Sequence, residues 1–256
     1  MERFKKISRV LTGIFMALAT LALVPEVSAA EETDWPEPVD DNQVFSFLLV
    51  EQLELRTITG MNMLRWDLQG WVGTDTNKFW VKAEGEADVS GGEGGDAELQ
   101  LLYSRMIAPF WDFQAGIRYD RTFGAGPDQD RGFLVLGFQG LSPYKFEVEP
   151  VLFISQNGDV SARLTASYEL LLSQKIVLQP RFETNFAIQR VRPFDVGKGL
   201  NDIQIGIRLR YEIKREFAPY IGFSWFHRFG DTAAIVRSKG EKPNYFTAVF
   251  GLRMWF

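Results

Sequence analysis

Apolar and polar residues alternate in period two along most of this chain. In the last twelve residues, Phe246, Ala248, Phe250, Leu252, Met254 and Phe256 are apolar, and the positions between include Thr247, Gly251 and Arg253. Period two is the signature of a β-strand with one apolar face and one wetter face. The same alternation runs through Leu64–Val72, Lys78–Val89, Trp111–Asp120, Ile176–Phe186 and Ile203–Ile213. Stretches near 44–57, 96–105, 132–140, 145–155, 160–171 and 219–229 bring the expected total to about twelve strands.

Such strands suit either a soluble β-sandwich or a closed barrel in a membrane, and the connections separate the two. Every second one is short: Thr74–Asn77, Ile107–Phe110, Ser142-Pro143, Ser173–Lys175 and Lys214–Ala218. The alternate set holds the longer ones, Gly91–Gly95, Arg121–Arg131, Gln189–Leu200 and Gly230–Asn244. Outer-membrane barrels sort their loops this way, with short periplasmic turns and longer external loops. A sandwich has no reason to. The last strand also ends on Phe256, which is similar to the C-terminal signal of bacterial outer-membrane proteins. In a barrel that strand pairs back with the first and leaves no open edge. The expected fold is therefore all-β: a transmembrane antiparallel up-and-down barrel over 44–256.

Composition agrees. The chain has 256 residues, no cysteine, one histidine and 14% aromatic residues. No cysteine means no disulfide framework and no thiolate metal site. Beyond the N-terminus no stretch approaches the roughly 20 apolar residues of a spanning helix. Arg3, Lys5, Lys6 and Arg9 precede an apolar run, Val10–Val24, and then Val27-Ser28-Ala29. Residues 1–29 read as a cleaved signal peptide; a retained anchor is the other reading, for which the run is short. Removing four basic and two acidic residues takes the net charge from −5 to −7. An acidic protein disfavours nucleic acid and mildly favours cationic ligands. Residues 30–43, acidic with Pro36 and Pro38, read as a short flexible periplasmic segment.

In a lipid-embedded barrel the apolar face points outward and the polar face is enclosed. The enclosed face would carry both signs: Asp67, Lys82, Glu84, Glu86, Arg118, Glu147, Arg181, Glu183, Arg208, Arg210 and Glu212, with Glu54, Arg56, Arg65, Asp120, Glu149, Arg163 and Glu169. Isolated charges in a narrow lumen are costly, so they should pair or line water. A lumen crossed by pairs is tight or gated, unlike a wide porin. Carboxylates there lower the barrier for a cation; equally, the charges can serve only to fill and stiffen the barrel. Lys82 precedes Glu84 on the same face and would partly neutralise it, leaving Glu86 the freer carboxylate.

Several blocks resemble the copper resistance protein B family of outer-membrane proteins. They include Gly70-Trp71-Val72-Gly73, Lys82-Ala83-Glu84-Gly85, Glu98–Arg105, Gln114–Asp120, Gly137–Tyr144, Leu178-Gln179-Pro180-Arg181, Arg208–Ile213 and Phe217–Gly222. The resemblance covers nearly the whole chain after residue 44. It implies an outer-membrane barrel that helps a bacterium tolerate copper, with copper ion as the bound or passing species. A periplasmic multicopper oxidase is the usual partner. Family members often carry a Met- and His-rich stretch before the barrel; residues 30–44 here contain neither residue.

Thioether and imidazole are the side chains that suit copper. Met61, Met63 and His227 are the candidates. Met61 and Met63 are expected at an outer loop, two apart and pointing the same way, as in a weak Cu(I) site. The plainer reading is apolar filler at the rim, and for His227 an interfacial residue. An enzyme is disfavoured: a barrel lipase needs a nucleophile oriented by a base, and Ser224 has opposite parity to His227. A generic narrow channel for small anions or sugars is the alternative function.

Overall fold

The computed structural model describes residues 43–58, 60–92, 94–124, 128–142 and 146–256. The expected signal peptide and nearly all of the N-terminal segment lie outside the described residues. The strands are β1 Phe45–Ile58, β2 Met61–Gly73, β3 Asn77–Asp88, β4 Gly95–Ala108, β5 Trp111–Phe123 and β6 Gln129–Ser142. They continue as β7 Phe146–Ser155, β8 Val160–Tyr168, β9 Ile176–Ala187, β10 Gly199–Tyr211, β11 Phe217–Arg228 and β12 Asn244–Trp255. After Glu169, β8 resumes as Leu170–Leu171, paired with β9. Each strand pairs antiparallel with the next, and β12 pairs with β1, so the sheet closes on itself. The closing seam runs from Arg56 opposite Val249 to Leu49 opposite Trp255, then to reciprocal hydrogen bonds between Leu48 and Phe256 at 3.0 and 2.8 Å. Closure satisfies the backbone polar groups that lipid cannot.

The two faces are inverted relative to a soluble protein. Leu134, Ile207, Phe223, Phe246 and Phe250 stand exposed, Phe246 at 66%. Gln52, Glu54, Arg56, Lys82, Arg208 and Arg210 are buried, Glu54 completely. Aromatics on the outer face pair across strands: Phe223 stacks on Phe246 at 5.5 Å toward one end, and Phe146 meets Tyr168 at 4.8 Å toward the other. Two aromatic bands at the headgroup levels are what an outer-membrane barrel requires. One outward ring is sheltered. Trp66 lies over Gly85, where a Cβ would sit 2.3 Å from the indole, and Val50, Leu68, Val81, Ala83 and Ala87 surround it.

The short connections, 74–76, 109–110, 143–145, 172–175 and 212–216, share one end, which the loop-length rule makes periplasmic. At the outer end, 188–198 and 229–243 are long, as expected. Two expectations need correction. The connection expected over Arg121–Arg131 shrinks to 124–128, because Arg121 and Thr122 still pair with Asp130 and Gln129. Met61-Asn62-Met63 is not in a loop. These residues open β2, paired with Ile58, Thr57 and Arg56, and only two residues separate β1 from β2. The outer loop 229–243 also contains a helix that period-two reading did not find, α1 Gly230–Ser238, which buries Thr232, Ala233 and Val236.

Candidate functional site: a charged lumen

Alternation delivers the charged side chains to the interior, and pairs formed across it bring opposite walls together. In a closed sheet of twelve strands, β8 and β9 face β2 and β3. Arg181 of β9 reaches Asp67 of β2 at 2.9 Å, and Arg65 of β2 lies 3.7 Å from Glu183 of β9. Arg163 of β8 binds Glu98 of β4 at 2.9 Å, and Arg118 of β5 binds the same carboxylate at 2.7 Å. Glu84 stands within this belt, 3.6 Å from Arg163 and 4.0 Å from Arg65. The belt makes the lumen narrow.

Against the wall of β1, β10 and β11 lies a tighter knot. Glu54 accepts hydrogen bonds from Arg208 Nε at 3.0 Å, Arg208 Nη2 at 3.1 Å and Tyr220 Oη at 3.0 Å, and it also pairs with Arg56. Tyr220 packs on Gly251, where a Cβ would fall 2.6 Å from the phenol oxygen. Every lone-pair direction of this carboxylate has a donor, which is how a buried charge is tolerated.

Toward the periplasmic end the lumen holds a cavity of about 70 Å³. Its wall carries five carboxylates, Glu51, Asp67, Glu84, Glu147 and Glu149, against three cations, Lys82, Arg163 and Arg181. Lys82 does not turn to Glu84. Its ammonium bonds Glu149 together with Gln114 and Gln139, because those acceptors converge on it from three neighbouring strands. Glu86, nearer the outer end, faces Arg65 across the strands and has its one ion pair among the described residues with Arg56, at 3.7 Å. Among the described residues Glu147 has no ion pair and accepts a side-chain hydrogen bond only from Ser167, at 3.2 Å. Below the cavity, Arg210 joins Glu169 at 2.9 Å and Glu212 at 3.3 Å. Glu212 lies one residue past the end of β10, not within it.

The outer mouth is covered by two loops clasped together. Arg190 pairs with Asp231, Lys239 donates to Asp195 at 2.7 Å, and Thr232 Oγ1 accepts from the Gly197 amide at 2.9 Å. Phe194, in a short 3-10 turn of the 188–198 loop, lies 4.8 Å from the guanidinium of Arg131 on β6. That contact carries the β9–β10 loop across the rim to β6, three strands from β9. The hydrogen bond from Arg190 holds the exposed Asp231 carboxyl below its ordinary range.

All the sequence-derived lumen residues share this interior, but the candidate copper ligands do not share a site. Met61 and Met63 have the parity of Arg65 and Asp67, so they face the lumen at its outer end. His227 has the parity of Ile221 and Phe223 and points outward, 4.4 Å from Phe229 and 5.7 Å from Trp225 between ring centres. Ser224, fully buried in the lumen beside Gln204, is on the other face of that wall. Among the described residues no group of three or more His, Cys, Asp or Glu side chains is gathered to hold a metal.

Sequence reading missed Glu51, Glu98 and Gln100. The alternation of Glu98, Gln100 and Ser104 with Ala97, Leu99, Leu101 and Tyr103 carried the signal for two of them. Glu51 had none: a bulge between Val50 and Gln52 shifts the register and turns Glu51 inward beside Gln52. Bulges add a residue that no period-two pattern anticipates.

Residues 44–256 match the family model described as copper resistance protein B precursor. Copper resistance protein B of Escherichia coli is 40% identical over 218 residues, covering 85% of this chain and 72% of its own. The homolog from Pseudomonas syringae pv. tomato is 36% identical over the same shares. Among solved structures, a NanC porin overlays with a TM-score of 0.54 at 11% identity, covering 81% of this chain and 98% of the porin. The last likeness speaks to the barrel fold alone.

Proposed function

This chain belongs to the copper resistance protein B family, a family of bacterial outer-membrane barrels serving copper resistance, and from that premise we propose that copper ions pass through its lumen. The supporting observation is the cavity of about 70 Å³ with its excess of carboxylates, two of which, Glu84 and Glu147, are only loosely held. A conduction path needs binding favourable enough for entry and weak enough for exit. Glu84 and Glu86 fit that role. Each lies 3.6 Å or more from its cationic partners and takes part in no direct side-chain hydrogen bond. The protein acts without covalent chemistry, and a periplasmic multicopper oxidase is the partner expected on the inner side, testable by copurification.

The decisive variant is Glu84→Gln with Glu86→Gln, which keeps shape and removes two charges. Copper tolerance should fall in a host relying on this protein, with heat-modifiable folded barrel unchanged. If Met61→Leu with Met63→Leu abolishes tolerance and the Gln pair leaves it intact, a discrete sulfur site replaces the carboxylate path. The narrow channel for small anions or sugars stays as the second reading because Lys82, Arg163 and Arg181 line the same cavity. Anion-selective conductance in planar bilayers, unaffected by copper, would establish it.

A further inference from the structure

Gln100 has an acceptor with nothing to accept. Its side chain lies on the cavity wall and is 2% exposed. The amide nitrogen donates to Glu98 Oε1 at 2.5 Å, which fixes the orientation of the amide. Turning it over would set its oxygen against the Glu98 carboxylate. The oxygen, Oε1, is left buried without a hydrogen-bond partner. Buried acceptors are almost always satisfied, so this one asks for an explanation. Its cationic neighbours direct their recorded hydrogen bonds elsewhere. Lys82, directly opposite across β3 and β4, has its three protons on Glu149, Gln114 and Gln139. Arg163 spreads its guanidinium over Glu98 and Asn185.

Glu84 is the diagonal neighbour of Gln100, since Lys82 faces Gln100 and Glu84 faces Glu98 on the same side of the sheet. Diagonal side chains of this length can reach a common ion. Glu84 offers a carboxylate with no direct hydrogen bond, and Gln100 a neutral oxygen with no donor. No methionine or histidine lines the cavity. Met63, the nearer lumen-facing thioether on β2, is four residues from Asp67, roughly 13 Å along the strand.

We propose that Gln100 Oε1 and a Glu84 carboxylate oxygen form a two-ligand transit site for an oxygen-preferring divalent cation, so that the lumen takes copper as Cu(II) rather than Cu(I). Water completes the coordination. Oxygen donors suit the divalent ion, whereas the cuprous ion calls for thiolate or thioether. Two protein ligands are fewer than a resident metal centre uses, and release is correspondingly easy. The inference deepens the copper-passage reading and rests on it for biological meaning, while its chemistry is testable apart.

The purified full-length barrel, folded in detergent, is titrated with Cu(II) sulfate and followed by electron paramagnetic resonance, and separately with Cu(I) under anaerobic competition. Expected are an oxygen-only Cu(II) signal without nitrogen coupling and weaker Cu(I) binding. Gln100→Leu and Glu84→Gln should each lower Cu(II) affinity by about tenfold or more, the scale of losing a supporting contact at a metal. Unchanged Cu(II) affinity in both variants, a nitrogen-coupled spectrum, or preferred Cu(I) binding would overturn the site. The two readings fail separately. Tolerance that survives Glu84→Gln with Glu86→Gln, beside Cu(II) binding lost in Gln100→Leu, defeats passage and leaves the site standing. Tolerance lost in the Gln pair, beside full Cu(II) affinity in Gln100→Leu, defeats the site and leaves passage standing.

Discussion

Glu54 and Glu84 are the same side chain, on the lumen face of strands two apart, in opposite circumstances. Glu54 is completely buried and takes hydrogen bonds from Arg208 and Tyr220 while pairing with Arg56. Glu84 has two guanidinium groups near it at 3.6 and 4.0 Å and no direct side-chain hydrogen bond. A carboxylate whose lone pairs are all engaged serves the wall. One with lone pairs to spare is available to something passing. Saturation of partners, more than charge or position on a strand, separates the two, and the proposed copper passage assigns the unsaturated carboxylate to the cargo.

The sharpest way to break this comparison is to remove a saturated carboxylate and an unsaturated one in turn. Glu54→Leu leaves Arg56 and Arg208 buried without their carboxylate, which should cost about 3–5 kcal/mol. Urea unfolding of the barrel in lipid measures it. Glu147→Gln, at the cavity's one carboxylate without an ion pair among the described residues, should leave unfolding unchanged. Equal losses at both positions would erase the distinction.

A smaller effect is expected from Gly251→Ala. The new methyl would lie 2.6 Å from Tyr220 and 2.8 Å from Glu54 Cβ. Overpacking of this kind costs about 1–3 kcal/mol. The same unfolding assay reads it, and a neutral result would mean that the Glu54 knot has room to adjust.

Visible chiefly in permeation is Arg181→Gln. It removes the 2.9 Å contact to Asp67 that ties β9 to β2 across the lumen. Single-channel conductance should rise and its cation selectivity should increase, as Asp67 is freed. Unchanged conductance would place the constriction elsewhere.

The least effect concerns the outer clasp. Asp231 titrates below its ordinary value of 3.8 because Arg190 hydrogen-bonds its carboxylate. A depressed carboxyl pKa gives a contribution present above the ordinary value and lost as pH falls through the lowered one. Pepsin cleavage within 188–198 should therefore accelerate as pH drops below about 3.8, and Asp231→Asn should abolish that dependence. The group is exposed, so global stability should not follow.

Much of this was legible in residues alone. Twelve strands, their faces and the short-turn end follow from a side-chain period that the backbone geometry imposes regardless of partners. Closure follows too, since strands apolar on the outside cannot leave an edge in lipid. The helix Gly230–Ser238 was hidden because only three of its residues are buried, too few for a helical period to stand out.

The sequence by itself determined most of the side chains that enter the lumen: Asp67, Lys82, Glu84 and Arg181 lie there by alternation. Only the tertiary structure decided whom each one meets. Lys82 turned from Glu84 on its own strand to Glu149 four strands away, and Glu51 entered through a bulge. His227 was parted from Met61 and Met63 by the thickness of the wall. Alternation is local and is written in every second residue. Pairing across a lumen depends on closure, shear and bulges, which arise only when all the strands have met.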